Sequence, residues 1–166
     1  MSRAKTPTYK TPFRRRREGK TDYVKRLALV KSGKARMVVR KTNAGIIVQF
    51  VEFGSKGDKT LAMIDGHTLK KNYSWPSKRN YPTAYLAGLI GASKAKEKGV
   101  MEFIMDVGLQ RCSKGSVLFA ALKGAVDAGL KTNYDEEMLS KSKLENVKDE
   151  YKTQFEQLKN KFIVKV

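Results

Sequence analysis

The apolar positions of this chain change period along its length. Residues 1–20 show little periodicity and are broken by Pro7, Pro12 and Gly19, which predicts an extended arm. From Thr21, a candidate N-cap, Tyr23, Leu27 and Val30 share one helical face, and Gly33 can end a short helix there. Three short runs rich in β-branched residues follow: Ala35 to Arg40, Ile46 to Phe53 and Thr60 to Asp65. Their connections, Lys41 to Gly45 and Gly54 to Asp58, carry Asn, Gly and Asp, so the spacing predicts three sequential antiparallel strands, the first two a hairpin.

A polar connector with Trp and Pro spans Gly66 to Asn80, and beyond it the period becomes helical. Tyr81, Ala84, Tyr85, Ala87, Gly88 and Ala92 can be arranged along a helix with Pro82 in its first turn, lysines near its end and Gly99 as its stop. Met101 to Val107 reads as a buried strand, and Ser116 to Ala128 as a second amphipathic helix closed by Gly129. The order β-β-β-α-β-α predicts an α/β domain over residues 21–134, a mixed sheet with helices packed on it. From Asp135, Met138, Leu139, Leu144, Val147, Tyr151, Phe155, Leu158 and Phe162 recur at three- and four-residue steps, giving a helical extension over 135–166. That apolar stripe needs a surface, either this domain's own flank or a neighbouring molecule.

Charge sharpens this division. The net charge is +19, distributed as +7 over residues 1–20, +9 over 21–79, +3 over 80–134 and zero over 135–166. A chain with 40% hydrophobic residues can bury a core, so this is a folded protein with a basic first half, which implies a polyanionic partner. Cys112 is the only cysteine, which excludes an internal disulfide and fits a reducing compartment. No apolar run is long enough to cross a membrane, and the charged N-terminus does not read as a signal peptide. A cytoplasmic protein is expected.

Catalytic constellations are sparse. His67 is the only histidine, so neither a Cys/His zinc set nor a Ser-His-acid triad can be assembled. The glycine-bearing segments miss the spacing of a phosphate-binding loop and read as turns. Asp65 and Asp106, each at a predicted strand end, are the best candidate for a metal-dependent nuclease, with only Glu102 and Glu52 to add; strand-end or turn capping is the plainer role. No cofactor or metal is expected.

Nucleic-acid chemistry is better supplied. In the arm, Lys5, Lys10, Arg14, Arg15, Arg16, Arg17 and Lys20 place cations beside Tyr9 and Phe13, with Tyr23 following. Cations neutralise phosphates while aromatic faces stack on exposed bases. Beyond the arm Arg26 is a further candidate, and Lys34, Arg36, Arg40, Lys41, Thr42 and Asn43 concentrate basic and amide groups at the first strand and its turn. Alternation would put Arg36 and Arg40 on one face with Val38 between them, so period alone leaves the facing open. The competing readings are a solubilising tail and a solvated sheet face. Trp75 is either a stacking platform or a hydrophobic plug, the plug being favoured by the usual burial of Trp.

Four blocks, Tyr9 to Tyr23, Arg36 to Asn43, Pro82 to Leu89 and Gly115 to Leu130, together resemble the eighteenth protein of the large ribosomal subunit in its archaeal form, a relative of the eukaryotic protein that carries 5S ribosomal RNA. The resemblance implies a ribonuclease-H-like fold without enzymatic activity. It also implies binding of 5S rRNA, contact with 23S rRNA, and a place in the central protuberance beside ribosomal protein L five. By position, it puts Tyr9, Lys10 and Arg14 to Arg17 on an RNA-binding arm, and Arg36 and Arg40 to Asn43 on an RNA-facing strand and turn. An RNA chaperone acting off the ribosome is the remaining alternative.

Overall fold

A computed structural model describes residues 6–76, 78–140, 144, 147 and 149–163. Its centre is a four-stranded sheet. Strands β1 (Ala35–Lys41), β2 (Ile46–Glu52) and β3 (Lys59–Asp65) form an antiparallel meander, and β4 (Phe103–Asp106) lies parallel to β1, giving the order β3-β2-β1-β4. The chain therefore crosses from one sheet edge to the other between β3 and β4. β4 is shorter than its apolar run because Met101 and Glu102 form a separate bridge to Lys131.

Two helices cover one face of the sheet. α4 (Tyr81–Glu97) starts at Asn80, whose side chain accepts from the Thr83 N–H, with Pro82 in the first turn where its missing N–H costs nothing. α5 (Val117–Asp127) packs across α4 so closely that a Cβ on Gly88 would overlap the Ala121 carbonyl and one on Gly124 the Tyr85 carbonyl. Beneath them Met37, Val39, Val48, Phe50, Ile64 and Phe103 are buried, and Phe50 meets Phe103 edge to face. The hydroxyl of Tyr85 donates to Asp127 and ties the two helices together.

Two segments depart from the pattern read in the sequence. Gly66 to Asn80 is not wholly a connector: α3 (Gly66–Tyr73) begins at Asp65, whose carboxylate accepts from the N–H and hydroxyl of Thr68, and Leu69 anchors it in the core. The arm is not uniformly extended either, since Arg14–Arg17 make one helical turn, α1. Arginine favours helix, Glu18 sits in i,i+4 relation to Arg14 at 3.8 Å, and Gly19 at φ +61° stops the turn.

α2 (Tyr23–Lys31) is capped by Asp22 rather than Thr21, its carboxylate accepting from the N–H groups of Val24 and Lys25. None of its residues is buried, and Leu27 is 56% exposed. The C-terminal stripe covers this chain's own flank. In α6 (Asp149–Phe162) Phe155 is buried against Tyr85 and Trp75, and Tyr151 meets Trp75 edge to face. Trp75 is the plug, with its indole N–H given to the buried Thr83 hydroxyl. No described helix is long and apolar enough to cross a membrane.

Candidate nucleic-acid interface

The sheet face opposite α4 and α5 carries the alternate residues of β1, namely Arg36, Val38 and Arg40, with Ile104 and Asp106 beside them in the β1–β4 register. Three cations and two carboxylates are linked there in one chain of ion pairs. Arg26 on α2 donates to Asp58 at 2.8 Å, and Asp58 also accepts from Arg36 at 2.6 Å. Arg36 reaches Asp106 at 3.2 Å, and Asp106 accepts from Arg40 at 3.0 Å and from the Gly108 N–H. Arg40 is tied further by donating to the carbonyls of Val39 and Asp106. Partial burial works to raise the Asp58 carboxyl, but the bonds and charges of Arg36 and Arg26 outweigh it and hold Asp58 below the usual carboxylate range.

Arg36 is 2% exposed, so it lies beneath the surface rather than on an RNA-facing one, a correction to the strand-face expectation. The facing that period left open is settled by Asp106 and Asp58, which give a buried guanidinium its partners. Arg40 has a 37% exposed side chain and stays at the surface.

Beside this network a cleft of about 830 Å³ opens between α2 with the end of the arm on one side and the segment after β4 on the other. Arg15, Lys20, Lys25, Arg26, Arg40 and Arg111 line it against two acids, Asp22 and Asp106. The cleft lies at the carboxyl ends of the parallel pair β1 and β4, where open α/β sheets leave room for a ligand. Of its cations, Arg15 donates to Thr21, while Arg111 has no acid in ion-pair range among the described residues. Lys25 and Arg111 were not among the candidates from sequence. Arg111 follows β4 by five residues, and its position after a parallel strand was the available signal.

The other candidates are distributed around this cleft. Tyr9, Lys10, Arg14, Arg16 and Arg17 are exposed along the arm, and Phe13, 79% exposed, sits 6.3 Å from the Tyr23 ring. Lys34 pairs with Glu102 at 2.8 Å, away from the cleft. Lys41 gives its N–H to Gln110 on the cleft wall. Thr42 closes the β1–β2 turn by bonding Gly45 through its hydroxyl, leaving Asn43 exposed at the tip. Lys5 lies outside the described residues.

The nuclease pair does not form. Asp65 and Asp106 stand on opposite edges of the sheet, three strand spacings apart or about 14 Å, too far to share metal ions. Each carboxylate is already used, Asp65 as the cap of α3 and Asp106 by two arginines.

Comparison with known proteins agrees with a site that binds rather than reacts. The family described as "Ribosomal large subunit proteins 60S L5, and 50S L18" matches residues 7–102 and 92–135. The chain belongs to this family. It is 52% identical over 137 residues to the large ribosomal subunit protein uL18 of Korarchaeum cryptofilum, covering 82% of this chain and 70% of that one. The uL18 proteins of Aeropyrum pernix and Methanoregula boonei are 48% and 50% identical, covering 80% of this chain in each case and 63% and 76% of theirs. The family consists of ribosomal structural proteins, so the chain is not an enzyme.

Proposed function

We propose that this chain binds 5S rRNA and anchors it to 23S rRNA in the central protuberance of the cytoplasmic large ribosomal subunit, beside ribosomal protein L five. Membership of the large-subunit family supports the structural ribosomal role. The observation that carries the RNA assignment is the cleft, where six cations from the arm, α2, the end of β1 and the segment after β4 converge against two acids. Such a surface takes a phosphate backbone by charge neutralisation and recognises an RNA by its shape. The open sheet face, with three antiparallel strands and a fourth parallel to the first, supports a ribonuclease-H-like sheet put to binding use.

The arm supplies exposed cations for phosphates and the Phe13 and Tyr23 rings for stacking. In this reading, tests compare the full chain bound to 5S rRNA and to an unrelated structured RNA of equal length in moderate salt. Preferential binding of 5S rRNA is expected. Equal affinity for the two RNAs would instead favour a general chaperone.

A further inference from the structure

The two half-exposed arginines of the network hold donors in reserve. A guanidinium has five N–H donors. Among the described residues Arg26 uses one, on Asp58, and Arg40 uses three, on Asp106 and the carbonyls of Val39 and Asp106. Both line the cleft, from α2 and from the end of β1. A free arginine gives up rotamer freedom when it grips a phosphate, whereas one already held by a carboxylate has lost that freedom before the ligand arrives. The two holding carboxylates are themselves joined by Arg36, buried beneath the cleft, so the two arginines share one support.

We propose that Asp58 and Asp106 are positioning residues for RNA binding: they fix Arg26 and Arg40 on the two walls of the cleft so that both guanidinium groups meet phosphates of one RNA backbone. The inference rests on the assignment of the cleft to RNA. It makes an unusual demand, that removing a negative charge from a protein with a net charge of +19 should weaken its grip on a polyanion. Plain electrostatics demands the reverse. Asp58 is the better probe, because its side chain is 24% exposed and Asp106 still partners Arg36 when it is changed.

The experiment measures the affinity of the full chain, Asp58→Asn and Asp58→Glu for 5S rRNA and for an unrelated structured RNA, with unfolding midpoints recorded alongside. Asp58→Asn is expected to bind 5S rRNA about tenfold more weakly, corresponding to the loss of one charge-assisted contact, with a smaller loss on the unrelated RNA, and Asp58→Glu to recover most of that loss. Equal or tighter binding by a folded Asp58→Asn overturns the proposal. Where Asp58→Asn fails to fold, Arg26→Lys decides: it keeps the charge but loses the fork, so the proposal requires weaker binding and pure charge attraction requires none. Failure of the wild-type chain to prefer 5S rRNA would overturn the functional reading beneath it, while the ratio of variant to wild type on either RNA still decides the positioning role.

Discussion

Arg14 to Arg17 and the trio Arg26, Arg36 and Arg40 are one residue type used in two physical states. The first group forms a single exposed turn whose side-chain contacts, among the described residues, are a 3.8 Å approach of Arg14 to Glu18 and a bond from Arg15 to Thr21. The second is fixed by two carboxylates in a network that reaches from α2 through β1 to the end of β4. Loose cations can follow a backbone wherever it runs, and their attraction is screened by salt. Held cations present donors at set positions, so they discriminate among shapes. Under the proposed RNA reading, the arm supplies affinity and the network supplies fit.

The largest expected contrast is in stability. Arg36→Ala leaves Asp58 without one partner and Asp106 with a weakened set, and should destabilise the fold by about 3 kcal/mol in urea unfolding. Replacing Arg14 to Arg17 with alanine removes four charges and should shift stability by less than about 0.5 kcal/mol. Comparable losses from the two changes would erase the distinction between the groups.

Salt dependence gives the next effect, with the roles reversed. The four-alanine arm should reduce the slope of log K against log salt by up to about 3 for RNA binding, whereas Arg40→Ala should reduce it by at most about 1. An arm variant with an unchanged slope would mean that the arm does not touch phosphates. Phe13→Ala, at a ring 79% exposed, should leave the unfolding midpoint alone and weaken RNA binding by about 1 kcal/mol through one lost stacking contact.

The smallest effect is a contribution that disappears in acid. Because the Asp58 carboxyl is held below its ordinary value, its contribution to stability is fully present above about pH 4 and is lost as pH falls through the lowered value. Urea midpoints of wild type and Asp58→Asn should therefore differ most near neutrality and converge as the pH falls through that lowered value. A difference that grows as the pH falls would contradict the ion-pair assignment.

Much of this architecture was legible because local signals agreed with tertiary packing. The three strands and their turns, the Pro82 entry to α4 and the glycine stop at Gly99 all follow from period and punctuation. α3 was hidden because its buried residues, Gly66 and Leu69, include a single apolar side chain, too few to set a helical period; the Asp65 cap was its readable mark. The site was legible as charge and illegible as geometry. Density of arginine identified the basic first half, but it cannot separate Arg36 from Arg40, because burial of a guanidinium depends on acids 22 and 70 residues away. Arg111 joins the cleft through folding, not through sequence proximity to the other cations.

The central claim is that held arginines choose the RNA while loose ones merely attract it. Its most direct test is the ratio of affinities for 5S rRNA over an unrelated structured RNA of equal length, measured for wild type, the four-alanine arm and Arg40→Ala. Arg40→Ala leaves Asp106 bonded to Arg36 and to the Gly108 N–H, so the fold should stand. The account predicts that the arm variant weakens both RNAs alike and preserves the ratio, while Arg40→Ala lowers the ratio about tenfold. A ratio that collapses with the arm and survives Arg40→Ala would contradict it.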